Sequence, residues 1–280
     1  MLTESETIMA NDNPLGKKTA YVSTYTPSLL YPIPRTKGRR IIGVPAVLPF
    51  KGIDIWNAFE ISWLNNKGKP VIAIGRFDIP CDSENIIESK SLKLYLTSFN
   101  NSKFDSIAAV EEIIARDMSE HLGAVANVSL QPLNDLDGEK ISHLKGDCLD
   151  DLDIECDTYE ITPEYLTTTS NGSVEETLYS DLLKSNCLVT GQPDWGSVQI
   201  HYRGKKIDRE GLLKYIVSYR NINEFGEQCT ERLFMDIMQR CAPESLTVYT
   251  RYTRRGGLDI NAIRSTEDVN KINNTRLVRQ

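Results

Sequence analysis

A chain of 280 residues, 40% hydrophobic and 25% charged, is long enough for two ordinary domains or one large one and has the composition of a folded globular protein. A formal charge of −7 and a pI near 5.2 exclude a nucleic-acid surface spread over the whole molecule and leave room only for local basic clusters. No stretch has the apolar length of a membrane span, and Met1 to Lys18 is polar and acidic without the apolar core of a signal peptide, so the expectation is a cytoplasmic protein with no membrane contact. In that compartment the six cysteines, which include no Cys-x-x-Cys pair, are expected as free thiols. The three histidines, His121, His143 and His201, have no ligand spacing to one another or to a cysteine, so no metal site is expected.

In chain order, Asp54 to Leu64 is rich in aromatic and branched residues, Asn65-Asn66-Lys67-Gly68 supplies turn chemistry, and Val71 to Ile79 alternates; together they predict a hairpin. Glu88 to Phe99 fits both a strand (Leu92, Leu94, Leu96) and a helix (Leu92, Tyr95, Leu96, Phe99). The stripe Ile107, Val110, Ile114, Met118 predicts a helix stopping at Gly123, and Val125 to Leu130 a strand. In the second half, Gly196 to Tyr202 alternates as a strand, and Asp208 caps a helix burying Leu212, Leu213, Ile216 and Val217. A second stripe runs Leu233, Phe234, Ile237, Met238, Cys241, and Leu246 to Tyr252 is strand-like. The second half decides the ambiguous segment in favour of a helix, because each half then reads strand, strand, helix, helix, strand, strand. The expected architecture is α+β: two repeated modules, each an antiparallel sheet with two helices on one face. The expected split is 1–150 and 151–280, the join falling in Asn134 to Asp157, whose clustered acids are expected to be a solvated connector rather than a calcium loop.

Three segments carry candidate chemistry. In Lys184-Ser185-Asn186-Cys187-Leu188-Val189-Thr190-Gly191-Gln192-Pro193-Asp194-Trp195 a thiol and a carboxylic acid flank a turn, the pairing that covalent catalysis uses when an acid moves the thiol proton; a buried apolar cysteine beside a Pro-Asp turn is the plainer reading. Glu88-Ser89-Lys90 opens the first helix, where free N–H groups and a lysine favour a phosphate, and Thr253-Arg254-Arg255-Gly256-Gly257 joins cations to a backbone that a ligand can approach closely. Glu227, after Asn221-Ile222-Asn223-Glu224-Phe225-Gly226, can accept paired N–H donors from a guanine-like edge or simply cap the helix. No Gly-x-Gly-x-x-Gly occurs, so a dinucleotide would not be held by a Rossmann turn.

These segments, with Asn85-Ile86-Ile87-Glu88-Ser89-Lys90-Ser91-Leu92-Lys93-Leu94-Tyr95, Asn223-Glu224-Phe225, Glu227-Gln228-Cys229 and Arg251-Tyr252-Thr253-Arg254-Arg255-Gly256-Gly257-Leu258-Asp259-Ile260-Asn261, resemble in order the nitrile reductase family that makes 7-aminomethyl-7-deazaguanine, in its long two-module form. The resemblance implies tandem tunnelling-fold modules and NADPH-dependent reduction of a small deazapurine nitrile in queuosine biosynthesis. It also implies a homodimer with no direct nucleic-acid contact. It implies that Cys187 attacks the nitrile carbon to give a thioimide with Asp194 as proton donor. Ile87, Glu88, Ser89, Gly226 and Glu227 then line the substrate, Glu88 and Glu227 holding the deazaguanine edge, while Ser89, Lys90, Arg255 and Gly256 contact NADPH. One position departs from the family pattern, which has His-Glu where this chain has Gly226-Glu227; that histidine serves substrate binding and proton handling. Because glycine costs up to about 1 kcal/mol relative to alanine inside a helix and less in a first turn, the sequence predicts that Gly226→His slightly stabilises the fold and speeds turnover. The rival readings are a metal-dependent hydrolase resembling GTP cyclohydrolase on the same fold, and a purine-binding module without chemistry.

Overall fold

A computed structural model describes residues 21–280 apart from 137, 139, 270 and 271. Its strands are β1 (Pro32–Pro34), β2 (Lys51–Leu64), β3 (Pro70–Pro80), β4 (Asn85–Ile87), β5 (Asn127–Pro132), β6 (Asp147–Cys148), β7 (Thr168–Ser180), β8 (Lys184–Asn186), β9 (Pro193–Ile207), β10 (Ser245–Tyr252) and β11 (Leu258–Ser265). The helices are α1 (Arg35–Ile41), α2 (Ser89–Ser98), α3 (Ile107–Leu122), α4 (Arg209–Ser218) and α5 (Gly226–Cys241). The chain forms two compact units that interleave in sequence. One takes the described residues within 1–38, 54–139 and 254–259, the other those within 39–53, 140–253 and 260–280.

In the first unit the strands run in the order β5-β3-β2, with β3 and β5 antiparallel. Trp56, Trp63, Phe77, Tyr95, Phe99, Ile114 and Met118 form its core. The ambiguous segment is helical: Glu88 caps α2, accepting from the N–H groups of Lys90 and Ser91, while the Ser106 hydroxyl caps α3 and Gly123, at φ +67°, ends it. The α2–α3 pair is pinned by buried Asp117, which accepts from the phenols of Tyr25 (2.6 Å) and Tyr95 (2.7 Å). Burial first, then this carboxylate, pushes the Tyr25 phenol up to about 12.

The second unit repeats the device with diverged residues. Tyr215 donates to Asp236 at 2.5 Å across α4 and α5, Asp208 caps α4 as predicted, and Ser98 and Ser218 each donate to the carbonyl of the tyrosine three residues earlier. The repeat read in the sequence is therefore physical in its helix pairs. The strands here run β11-β10-β9-β7-β6, with β8 added to β9. All the registered pairs are antiparallel except the two-residue β6–β7 pair, which is parallel. Among the described residues, the first unit has one strand after its helices, β5, where two were expected. The connector is solvated as expected, with Asp147, Asp151, Asp153, Glu155 and Asp157 exposed, and it is tied down at two points. Asp147 joins β6 and pairs with Arg209 at 2.7 Å, and Asp150 accepts the Asp181 N–H at 2.9 Å.

A buried ion cluster fixes the second unit. Glu231 of α5 receives Arg39 through two bonds (2.7 and 3.0 Å) and Arg264 of β11 at 2.9 Å, and both guanidinium groups lie over the Phe50 ring. Such groups are tolerated inside only because each is paired.

Candidate active site

Strands β8 and β9 make a short ribbon in the register Lys184↔Trp195, Ser185↔Asp194, Asn186↔Pro193. The Cys187 N–H donates to the Gln192 carbonyl (2.8 Å), extending the ladder by one pair, and Gly191 at φ +64° closes the turn by donating to the Cys187 carbonyl (3.0 Å). Directly opposed residues share a face and alternate along each strand, so Ser185, Cys187, Gln192 and Asp194 all lie on one face. Cys187 and Asp194 then stand at diagonal positions of the ladder, which are roughly 7–8 Å apart along the backbone and within reach of longer side chains. Both are half-buried, and Ser185 beneath them is fully buried.

The ribbon is stitched to the segment that leads into α5. Asn186 donates its N–H to the Ile222 carbonyl (2.8 Å) and accepts from the Glu224 N–H (3.3 Å), so the residue before the thiol is clamped next to Asn221 to Glu224. Buried Glu224 is ion-paired with Arg232, and Glu227 lies in the first turn of α5 and is also buried. Phe225 is the N-cap residue and offers no side-chain bond.

Gly226 is held by packing rather than by backbone conformation. A Cβ there would lie 2.8 Å from Cε2 and 3.1 Å from Cδ2 of Tyr252, a buried ring at the end of β10. Real Cβ atoms do not approach so closely, so a side chain at 226 requires the Tyr252 ring to shift, a cost set against the stabilisation expected of histidine there. The Tyr252 hydroxyl faces the Ser185 hydroxyl and the Cys229 thiol without a hydrogen bond of normal geometry to anything. Burial first, then Cys229, pushes this phenol well above its ordinary value, and burial likewise pushes the Cys229 thiol up, which leaves it inert.

The other predicted residues lie together in the first unit. Ile87 pairs with Pro32, and the Glu88 N–H donates to the Tyr31 carbonyl (2.9 Å), which fixes the start of α2. The Glu88 carboxyl is fully buried; burial raises its pKa, partly offset by the N–H groups of Lys90 and Ser91 and by the charges of Lys93 and Lys90. The N–H groups expected to be free for a phosphate at this helix start are therefore partly taken, by Glu88 itself (2.9 and 2.8 Å). A carboxylate retains lone pairs beyond two such bonds, so Glu88 can still accept from a ligand edge.

Cations replace the occupied N–H groups. Gly256 and Gly257, at φ +58° and +81°, turn the chain back, and a Cβ at Gly256 would meet Cδ and Cε of Lys93 at 3.2 Å. Lys93 thus packs along the Arg255-Gly256 turn from α2, the helix that carries Ser89 and Lys90. Arg254 is stacked on Phe59, 4.4 Å from the ring centroid. These lysines and arginines, with a side-chain-free turn, fit the phosphates of NADPH; Ser89, Lys90, Lys93, Arg255 and Gly256 are the residues that would hold it. Lys93, Tyr252 and Ser185 escaped the sequence reading. Lys93 is detectable from its helical spacing to Lys90, whereas nothing local marks the other two. Among the described residues, no three of His, Cys, Asp and Glu group as metal ligands, and no helix is long and apolar enough to cross a membrane.

A thiol and an acid on one face of a ribbon whose backbone at Asn186 is hydrogen-bonded to the segment before buried Glu227 suit covalent chemistry. Residues 21–130 match the family described as nitrile reductase, 7-cyano-7-deazaguanine-reductase N-term, and residues 193–271 match the family described as QueF-like protein. A protein of Dechloromonas aromatica (strain RCB) named NADPH-dependent 7-cyano-7-deazaguanine reductase is 59% identical over 96% of this chain and 95% of its own length. Two others of that name, from Legionella pneumophila (strain Corby) and Burkholderia multivorans (strain ATCC 17616 / 249), are 56% and 54% identical over 97% and 96% of this chain and 96% and 98% of their own. The chain belongs to the 7-cyano-7-deazaguanine reductase family of nitrile reductases.

Proposed function

We infer that the protein reduces the nitrile of 7-cyano-7-deazaguanine to 7-aminomethyl-7-deazaguanine with NADPH, in queuosine biosynthesis. The observation that carries the chemistry is the common face of Cys187 and Asp194 on a ribbon clamped to the segment ending in Glu227. Cys187 Sγ bonds to the nitrile carbon while the nitrile nitrogen gains a proton, giving a thioimide. Asp194, the acid on that face, delivers the proton and recovers one from the thiol. Two NADPH, bound in turn, would supply the two hydrides, one each, that take the thioimide carbon to the amine. Cys187 leaves as thiolate between them, and Asp194 handles the protons on nitrogen. Ile87, Glu88 and Ser89 of the first unit, and Gly226 and Glu227 of the second, are the residues this reading assigns to the heterocycle, and each buried carboxylate can accept ring or amino N–H groups.

The hydrolase reading lacks a ligand set among the described residues. The modules work as a homodimer in the cytoplasm, the first carrying Glu88-Ser89-Lys90 and the second Cys187, with neither membrane nor nucleic acid as partner. Loss of NADPH absorbance on mixing with the nitrile tests the reaction. Asp194→Asn is expected to slow it about a hundredfold or more; a variant as fast as wild type removes Asp194 from proton transfer.

A further inference from the structure

Lys184 and Asn186 stand on the face of the β8–β9 ribbon opposite to Cys187 and Asp194, across from Trp195 and Pro193 in the register. The half-buried Lys184 ammonium donates to the Asn186 side-chain carbonyl at 2.7 Å and to the Arg220 backbone carbonyl at 2.6 Å. Arg220 lies in the 3-10 turn Tyr219–Asn221 that follows α4, where carbonyls without a helical partner attract a cation. The bond continues a ladder: the Asn186 backbone is bonded to Ile222 and Glu224, and the ammonium takes the next carbonyl on that side. One lysine therefore fixes, from behind the ribbon, the register between the strand that leads to the thiol and the segment that enters α5 at Glu227. Its charge also reaches the acid. Burial first, then the charge of Arg220, lowers the Lys184 pKa, and the charge of Asp194 raises it; the same attraction favours the ionised form of Asp194 in return. The other charged or titratable groups on the elements packed here are Cys187 on the ribbon, Glu224, paired with Arg232, Glu227 and Cys229 of α5, and Tyr252 of β10. Burial keeps Cys229 and Tyr252 protonated.

We propose that Lys184 is a positioning residue for the covalent step: its ammonium locks the Cys187 strand in register with the segment leading to Glu227, and its charge favours the Cys187/Asp194 pair that holds one proton over the pair that holds two. The step uses that single proton. Cys187 Sγ forms the bond to the nitrile carbon, one C–N π bond opens, and the nitrogen takes the proton from Asp194. A pair with two protons has no thiolate, and a pair with none has no acid. A nearby cation lowers both apparent pKa values of such a pair, and its loss raises both, so without Lys184 the whole bell of rate against pH moves to higher pH.

The inference rests on Cys187 as the nucleophile, and the experiment separates the two. The rate of adduct formation with 7-cyano-7-deazaguanine in the absence of NADPH is followed by intact mass across pH in wild type, Lys184→Arg, Lys184→Gln and Lys184→Met, each checked for folding by thermal unfolding. Lys184→Met is expected to slow the step about tenfold at neutral pH and to move both limbs of the profile up by roughly half a pH unit. Lys184→Gln, which keeps a donor for the Arg220 carbonyl but no charge, shows the same displacement with a smaller loss at its own optimum. Lys184→Arg keeps charge and donors and restores both. A merely structural role lowers the rate or the unfolding temperature and leaves the limbs in place. Limbs of Lys184→Met and Lys184→Gln that coincide with wild type, or a folded Lys184→Arg as slow as Lys184→Met, overturn the proposal; should the methionine variant fail to fold, the glutamine variant decides it by the same displacement. Absence of any adduct in wild type removes the nucleophile, and the inference with it.

Discussion

Glu88 combines two duties that one substitution series can separate. It caps α2 through two N–H bonds of 2.9 and 2.8 Å, and the same buried carboxylate is proposed to accept from the heterocycle. Removing an N-cap side chain costs about 1 kcal/mol, and for a domain of this size each kcal/mol shifts the melting temperature by roughly 2–4 °C. A hydrogen bond to a charged acceptor is worth about 1.5–3 kcal/mol, which is roughly a ten- to hundredfold change in affinity. Glu88→Ala should therefore lose about 3 °C and at least tenfold in nitrile binding. Glu88→Ser, which restores a capping oxygen but no carboxylate, should recover most of the stability and none of the affinity. Calorimetry for melting and titration calorimetry for the nitrile, run on Cys187→Ser to block the covalent step, provide the two readouts. The raised pKa adds a signed test. The ionised carboxyl is the stronger acceptor of paired N–H donors, so nitrile affinity should fall on acidification, beginning above the ordinary carboxylate range. If Glu88→Ser binds the nitrile like wild type, Glu88 is a cap and nothing more.

Two further outcomes are expected. Lys93→Ala, like Lys90→Ala and Arg255→Ala, should weaken NADPH binding about tenfold, as followed by NADPH fluorescence, with little change for the nitrile and with the preference over NADH reduced; three variants with unaltered binding would remove the phosphates from this turn. Glu231→Ala removes the carboxylate shared by Arg39 and Arg264, at an expected cost of about 3 kcal/mol and a melting temperature lower by roughly 10 °C. A drop below about 2 °C would mean that the cluster relaxes into solvent.

Much of this arrangement was legible in the chain because local physics dictated it. The stripes Ile107 to Met118 and Leu233 to Cys241 are helical for the reason their spacing indicates, and Asp208 caps where a short polar acceptor precedes an apolar face. The helix at Glu88 needed the repeat to decide it, since leucines at alternate positions also fit a strand. What escaped was set by distant partners. β7 opens as a polar run, Thr168-Thr169-Ser170 onward, and is a strand because β9 pairs with it. Module boundaries are interleaved rather than consecutive because residues 39–53 and 254–259 each join the unit that lies away from them in sequence. The contact that a side chain at 226 would make with Tyr252 is likewise absent from the local sequence, because the ring comes from another element. Occupation of the α2 N–H groups by Glu88 was equally invisible, because a capping and a ligand-binding glutamate have the same sequence.

The measurement nearest the central claim is the intact mass of the protein mixed with 7-cyano-7-deazaguanine and no NADPH. Wild type should gain one nitrile per chain, Cys187→Ala none, and addition of NADPH should discharge the adduct as amine. An adduct that persists in Cys187→Ala, or its absence from wild type under conditions where NADPH is consumed, would contradict covalent catalysis by Cys187.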